Sequence, residues 1–183
     1  MRSCATVADL RTTKMAPTRS PSSSAIQHFS QAASNWFTNR ILARPVSIAP
    51  SVLPADFAKL GDECVALEKA GVDRIQWDVM DGHFVPNLTF GPDVIAACRS
   101  RAAVGFEAHL MVSNPDALLP LYVEAGCELV IVHAETCTHL HSTLTRIRSL
   151  GARSGVALNP STPIEAVRHV VDLLDLLLVM TVN

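Results

Sequence analysis

The sequence predicts an α/β fold, either an open doubly wound sheet or a (β/α)8 barrel of which this chain holds the first six strands. From Val46 onward, short β-branched runs alternate with stretches of helical periodicity. This unit recurs roughly every 20 to 30 residues, as strand–helix repeats do. No G-x-G-x-x-G follows the first run, which weakens the dinucleotide-binding option and leaves an open doubly wound sheet as the alternative fold.

Six apolar runs are the predicted strands, because each is short, apolar and bounded by turn or helix signals. They are VSIAPSV (46–52), RIQWDVM (74–80), GFEAHLMV (105–112), LVIVHAE (129–135), SGVALN (154–159) and LLLVMTV (176–182). A complete barrel takes about 200 to 250 residues. On the barrel interpretation, the barrel would therefore be truncated after strand six.

Helical periodicity fills the intervals between these runs. Apolar residues recur at three- and four-residue spacing, and a glycine such as Gly71 follows where a helix should end. Capping residues mark helix starts, including a capping box at TPIE (162–165). The predicted helices cover 55–70, a segment opening at Asn114 and Pro115, 138–151, and a segment from 162 to Leu174.

Residues 1–45 differ in composition from the rest and are predicted to form a disordered leader. They hold six Lys or Arg against the single Asp9, twelve Ser or Thr and no Gly. An Arg- and Ser-rich, acid-poor segment is typical of an organellar transit peptide. A wrongly assigned start site, with Met15 as the other candidate, is the alternative. The predicted catalytic domain is 46–183.

Charge and cysteine content argue against several classes of function. The net charge is −2 and no basic stripe interleaves with aromatic residues, so we expect no nucleic-acid partner. The most apolar run, 170–182, is too short to span a bilayer and contains two aspartates, so we expect no membrane partner. Five cysteines without a C-x-x-C pair indicate neither a disulfide framework nor a zinc knuckle.

Polar residues at the carboxyl ends of the predicted strands are the candidates for chemistry, because barrel active sites form there. Gln76, Asp78 and Met80 alternate onto one face of the second strand, the interior in a barrel. A buried carboxylate needs a partner, and His109 on the next strand lies at a similar height. Asp78 and His109 therefore predict a divalent-metal site or a hydrogen-bonded structural pair. The remaining polar strand-end residues are Ser51, His133, Glu135 and Asn159.

Two further features have an ordinary structural explanation. The loop DGHFVPN (81–87) fits turn chemistry, with one bend at Asp81 and Gly82 and another at its end. Methionines near strand ends usually fill a core with a flexible thioether.

Six ordered motifs resemble the ribulose-phosphate 3-epimerase family. They are APSVLPADFAKLG, DVMDGHFVPNLTFGP, HLMV, VHAE, GVALNPSTP and LLLVMTVN. The resemblance covers about residues 46–183 and implies a TIM barrel of the ribulose-phosphate binding type. It also implies an isomerase of the pentose phosphate pathway and Calvin cycle, which inverts carbon 3 of D-ribulose 5-phosphate to give D-xylulose 5-phosphate.

The family's chemistry removes a proton beside a ketone and returns one to the opposite face through an enediolate. By resemblance, Asp78 is a metal ligand and one acid/base residue, and His109 is a metal ligand that also contacts substrate. The implied cofactor is a divalent ion such as zinc, iron, manganese or cobalt. Substrate contacts are also implied for Ser51, Met80, Met111 and Met180. The three sulfur atoms would cap the reaction plane and keep water out.

The chain departs from the family in two ways. Gln76 stands where a metal-ligating histidine is common, and an amide oxygen binds zinc poorly, so metal affinity or preference should change. The family's glycine-rich phosphate loop and second catalytic aspartate would follow MTVN (180–183), beyond this sequence. We therefore expect the 183-residue chain to be inactive alone. A separate expectation is that the complete protein is a homo-oligomer.

Two alternative functions fit the same residues. One is a sister epimerase acting on a six-carbon ketose phosphate such as allulose 6-phosphate. The other is a non-catalytic barrel fragment, whose exposed strand edges would favour aggregation or pairing with another chain. The expected partner is a small sugar phosphate. The expected location is the cytoplasm, or the chloroplast if residues 1–45 are a transit peptide.

Overall fold

The structure, a computed structural model, describes residues 6–9 and 46–182. Its strands are β1 (Thr6–Asp9), β2 (Arg74–Met80), β3 (Gly105–Met111), β4 (Cys127–His133), β5 (Arg153–Leu158) and β6 (Leu176–Val179). They form one sheet in the order β1-β6-β5-β4-β3-β2, in which β2 to β6 are parallel and β1 is antiparallel to β6. Because consecutive parallel strands are neighbours without a reversal, this part of the chain fits the barrel class and not the doubly wound alternative.

Strand β1 belongs to the segment predicted to be a disordered leader. Thr6–Asp9 instead pair with Leu176–Val179, so β6 has a neighbour on the side away from β5. The remainder of residues 1–45 lies outside the described residues, and with it the transit-peptide and start-site alternatives.

The described residues include four α-helices, of which the first precedes β2 and the other three connect β2 to β5. They are α1 (Leu60–Lys69), α2 (Pro92–Arg99), α3 (Leu119–Glu124) and α4 (Leu140–Ser149). The predictions for 55–70 and 138–151 are confirmed, and Gly71 and Gly151 follow those helices with φ of 82° and 91°. A left-handed residue at that position satisfies the last helical carbonyls, which explains why glycine stands there. Helix α2 was not predicted, although Gly91 and Pro92 at its start are a helix-start signal.

The predicted helix over 162–174 is wrong. The segment forms two short 3-10 helices, Ile164–Val167 and Val171–Leu173. The expected capping box does not form, because the hydroxyl of Thr162 donates to the carboxylate of Glu135. Without that cap, the β-branched residues of the segment do not sustain a continuous helix.

The predicted first strand, 46–52, is an extended segment with one parallel bridge, between Ser51 and Gln76. The N–H of Val52 donates to the carbonyl of Gln76, and the N–H of Gln76 donates to the carbonyl of Pro50. Pro50 has no N–H to donate at the preceding position of the ladder, so no regular strand develops. The segment nevertheless holds Ser51 beside β2.

Two apolar clusters lie on opposite faces of the sheet. The outer cluster packs the helices against side chains such as Trp77 and Phe106, whose ring centroids are 5.3 Å apart. The inner cluster consists of Leu129, Ile131, Ala157, Leu176 and Leu178. Because side chains alternate along a strand, the inner face also carries residues 76, 78 and 80 of β2 and 107, 109 and 111 of β3. No helix within the described ranges is long and apolar enough to cross a membrane.

Candidate active site

The candidate site lies on the inner face of the sheet, towards the carboxyl ends of β2 and β3. The strands pair in register, so that Asp78 lies opposite His109, and both side chains are buried. The extended segment beside β2 contributes Ser51 from the other side. The fold thus brings together Ser51, Gln76, Asp78 and His109, four of the residues selected from the sequence.

Asp78 is at the centre of this group. Its Oδ2 accepts a hydrogen bond from the Ser51 hydroxyl at 2.5 Å, and its Oδ1 accepts one from the Gln76 amide at 2.8 Å. Oδ1 also lies 2.9 Å from Nδ1 of His109. Burial would raise the pKa of Asp78, but the hydrogen bond and charge of His109, with the bonds from Ser51 and Gln76, outweigh it and lower that pKa. Asp78 is therefore an ionised carboxylate at neutral pH.

His109 also contacts His133 at the end of β4. Their Nε2 atoms are 2.9 Å apart, the ring planes differ by 21° and the ring centroids are 5.0 Å apart. Nitrogens this close cannot belong to stacked faces, so the rings meet edge to edge through an N–H···N hydrogen bond. Burial, followed by the nearby charge of His109, lowers the pKa of His133 to about 4.

Glu135 continues the chain of hydrogen bonds beyond His133. Its Oε2 lies 3.2 Å from Nδ1 of His133. Its Oε1 accepts from the backbone N–H of Asn159 at 2.8 Å and from the Thr162 hydroxyl. The pKa of Glu135 is lowered, because these hydrogen bonds outweigh its burial. An uninterrupted network therefore links Ser51 to the loop that follows β5.

The three predicted methionines also lie near strand ends. Met80 and Met111 face each other at the ends of β2 and β3, and Met111 is the more buried. Met180 follows β6 and packs against the inner apolar cluster. By strand alternation all three belong to the face that carries Asp78. Their contact with substrate stays a prediction.

The donor atoms fit a divalent cation at two of the three expected positions. Two adjacent ligands of one cation, each about 2.1 Å from it, are roughly 3 Å apart, which matches the 2.9 Å between Asp78 Oδ1 and His109 Nδ1. Gln76 turns its amide nitrogen towards Asp78, so the oxygen that a cation would bind is directed away. Within the described residues, no group of three His, Cys, Asp or Glu side chains could hold a metal ion.

Asp81 holds the loop after β2, as its turn chemistry predicted. Its Oδ1 accepts from the backbone N–H groups of His83 and Phe84, both at 2.9 Å. Its Oδ2 accepts from the backbone N–H and hydroxyl of Ser113 at 2.7 and 2.6 Å. The loop also brings the ring of Phe84 to 4.7 Å from that of His133.

Sequence analysis gave no role to His133 and Glu135. Their signals were their position at a predicted strand end and their place in the motif VHAE (132–135). Thr162 was assigned to a helix cap, and its contact with Glu135 joins residues 27 positions apart.

Comparison with known proteins identifies the family. Residues 47–183 match the family model described as the ribulose-phosphate 3 epimerase family. This chain belongs to the ribulose-phosphate 3-epimerase family, as the motifs predicted. It is 49% identical over 138 residues to ribulose-phosphate 3-epimerase of Bacillus subtilis, a match covering 75% of this chain and 64% of that one. It is 46% identical over 147 residues to the chloroplastic ribulose-5-phosphate-3-epimerase of Arabidopsis thaliana, covering 79% and 52%.

This chain therefore spans 64% of the length of the Bacillus subtilis relative and 52% of the length of the Arabidopsis thaliana relative. Among solved structures, a mutant tryptophan synthase α-subunit from Pyrococcus furiosus superimposes with a TM-score of 0.54. That likeness covers 70% of this chain and 62% of the other at 12% identity, so it concerns the fold alone.

Proposed function

We propose that this protein is an epimerase that inverts carbon 3 of D-ribulose 5-phosphate, with Asp78 as one of its two acid/base residues. Membership of the family supports the reaction class. The observation that carries the proposal is the state of Asp78, a buried carboxylate kept ionised by Ser51, Gln76 and His109. Its place near the carboxyl end of a barrel strand is where such enzymes assemble their chemistry.

Asp78 accepts the proton from carbon 3. The reaction requires a base on one face of the substrate and an acid on the other, because the configuration is inverted. Ser51 and Gln76 donate hydrogen bonds to the two carboxylate oxygens and fix the orientation of the group. Once protonated, Asp78 is the acid for the reverse direction, and the opposite-face residue completes the inversion.

Asp78 and His109 are the residues that would hold a divalent cation such as zinc, iron, manganese or cobalt. When bound, the cation supplies Lewis-acid polarisation of the substrate ketone. Gln76 orients Asp78 through its amide N–H. The side chains of Met80, Met111 and Met180 exclude water from the enediolate without competing for its charge.

The test is exchange of the carbon 3 proton in deuterated water. D-ribulose 5-phosphate is incubated with the purified protein, as the 183-residue chain and as any longer in-frame product, and carbon 3 is followed by NMR. Asp78→Asn keeps the shape and removes the base, so exchange should fall at least about 100-fold. Asp93→Asn, an exposed carboxylate on α2, is the matched control and should exchange as the parent does.

Unchanged exchange in the Asp78→Asn variant would remove this residue from the reaction. The same assay with allulose 6-phosphate decides between the proposed substrate and that of a sister epimerase. Faster exchange of the six-carbon substrate would overturn the assignment to ribulose 5-phosphate while keeping the role of Asp78.

A further inference from the structure

We propose that a cavity at the amino-terminal end of the parallel strands binds a short uncharged polyol. The cavity has a volume of about 140 Å³. Arg74 opens β2, Arg153 opens β5, and Glu107 stands near the start of β3, and all three line it. The strands end at the opposite side of the sheet, where the candidate active site lies. The polyol site therefore does not depend on the proposed function.

The cavity has its own opening to solvent. Each residue of a strand advances about 3.3 Å, so Arg74 precedes Asp78 by about 13 Å along β2. Ser47, in the extended segment beside β2, lines the cavity and is exposed. A small molecule therefore enters past Ser47, without passing through the candidate active site.

Two buried polar groups beside the cavity have no partner within the described part of the chain. Glu107 is 0% exposed, and neither of its carboxyl oxygens has a hydrogen-bond partner there. The same holds for Nη1 of Arg74, which lies 3.9 Å from the carboxylate of Glu128. Most buried polar atoms in native proteins are hydrogen-bonded, and each exception needs an explanation. A molecule bound in the cavity would supply partners to both groups.

These atoms define the chemistry of the ligand. The oxygens of Glu107 need hydrogen-bond donors, whereas the N–H of Arg74 needs an acceptor. A hydroxyl group donates and accepts, so it suits the carboxyl group in either protonation state. A molecule with several hydroxyl groups therefore serves both side chains at once.

The balance of charge favours an uncharged ligand. The cavity is lined by two arginines and two acidic residues, Arg74, Arg153, Glu107 and Asp175. The adjacent ion pairs bring one further cation and one further anion, Arg148 and Glu128, so the formal charges still cancel. A charged ligand would give up its water here without meeting an excess of opposite charge.

Volume and lining set the size and shape of the ligand. One water molecule needs roughly 10–15 Å³ of such space, so the cavity has room for a small organic molecule. Leu129 and Leu176 form an apolar wall. The carbon–hydrogen side of a polyol packs on that wall while its hydroxyl groups face the polar side chains. Water alone would leave the apolar wall without this contact.

An NMR titration of the protein with erythritol tests the proposal. Backbone amide signals of the residues that line the cavity should shift and reach saturation, which yields a dissociation constant. Glu107→Leu removes both oxygens and Arg74→Met removes the donor. Each should weaken binding at least about tenfold, because a hydrogen bond to a charged group is lost. Arg146→Met replaces an exposed arginine on α4 and is the matched control, which should bind as the parent does.

Glycine is the second probe, because a zwitterion would place opposite charges against Glu107 and Arg74. Saturable binding of glycine but not of erythritol would overturn the choice of an uncharged ligand. Erythritol shifts that grow linearly over the whole surface, or one affinity in the parent and both variants, would show that only solvent occupies the cavity. If Glu107→Leu loses the dispersed amide spectrum of a folded protein, the partly exposed Arg74→Met decides alone.

Asp78→Asn separates this cavity from the candidate active site, where a polyol could bind as a fragment of a sugar phosphate. Erythritol should bind Asp78→Asn with the affinity of the parent, since Asp78 lies at the other end of β2. Binding that is lost in Asp78→Asn but kept in Glu107→Leu and Arg74→Met would place the polyol at the active site and overturn the inference.

Discussion

The buried carboxyl group of Glu107 makes the stability of this fold sensitive to pH. Glu107 lies on the inner face of β3 with 0% exposure, and within the described residues neither of its oxygens has a hydrogen-bond partner. Burial raises its pKa to about 7, although the charges of Arg74 and Arg153 act in the opposite direction. Burial prevails because the ionised group has lost its water and gained no hydrogen bond in return.

The direction and size of the effect follow from linkage. The group releases its proton near pH 4.5 in the unfolded chain and near 7 in the folded one, so the native state binds more protons in between. The stabilisation that comes from protonated Glu107 is therefore fully present below pH 4.5, and it is lost as the pH rises towards 7. At about 1.4 kcal/mol per pH unit, the contribution is about 3 kcal/mol.

Glu107→Gln removes this contribution while keeping the size of the side chain. Urea unfolding followed by circular dichroism at about pH 4.5 and about pH 8 gives the free energy of unfolding of each variant. Over this interval the parent should lose about 3 kcal/mol more than Glu107→Gln. The exposed Glu165→Gln should behave as the parent does. Equal losses in the parent and Glu107→Gln would show that the carboxyl group ionises freely inside the sheet.

Three further substitutions test other parts of the structure. Gln76→His should tighten cobalt or zinc binding at least about tenfold, since imidazole is a better ligand than an amide; unchanged affinity would exclude this position from the cation's ligands. Asp81→Ala should lower the free energy of unfolding by about 1–3 kcal/mol, because four hydrogen bonds to the loop and Ser113 are lost. Gly155→Ala would put a carbon 2.9 Å from Ile131, so the melting temperature should fall; no fall would mean that Ile131 moves aside at little cost.

The parallel strands could be predicted because their signal is local. RIQWDVM (74–80) coincides with β2, and the pairing of consecutive strands puts Asp78 beside His109. The irregular first strand could also have been anticipated, because Pro50 lacks the N–H that a ladder needs. The helix predicted from 162 failed for a different reason. The Thr162 hydroxyl, which was expected to cap this helix, donates to Glu135 instead. A local sequence pattern does not reveal a contact between residues 27 positions apart.

The inward position of His133 depends on a feature that periodicity does not reveal. The register between β3 and β4 shifts after Phe106: Phe106 pairs with Cys127, but Glu107 pairs with Leu129, so Glu128 is an extra residue. Without the extra residue, position 130 would pair with His109, and His133 would belong to the outer face with the helices. The bulge therefore turns His133 towards His109. As a result, His133 links Glu135 to His109 on the inner face. Deleting Glu128 should abolish the Nε2 contact between the two rings, a stronger loss than any change of side chain at that exposed position.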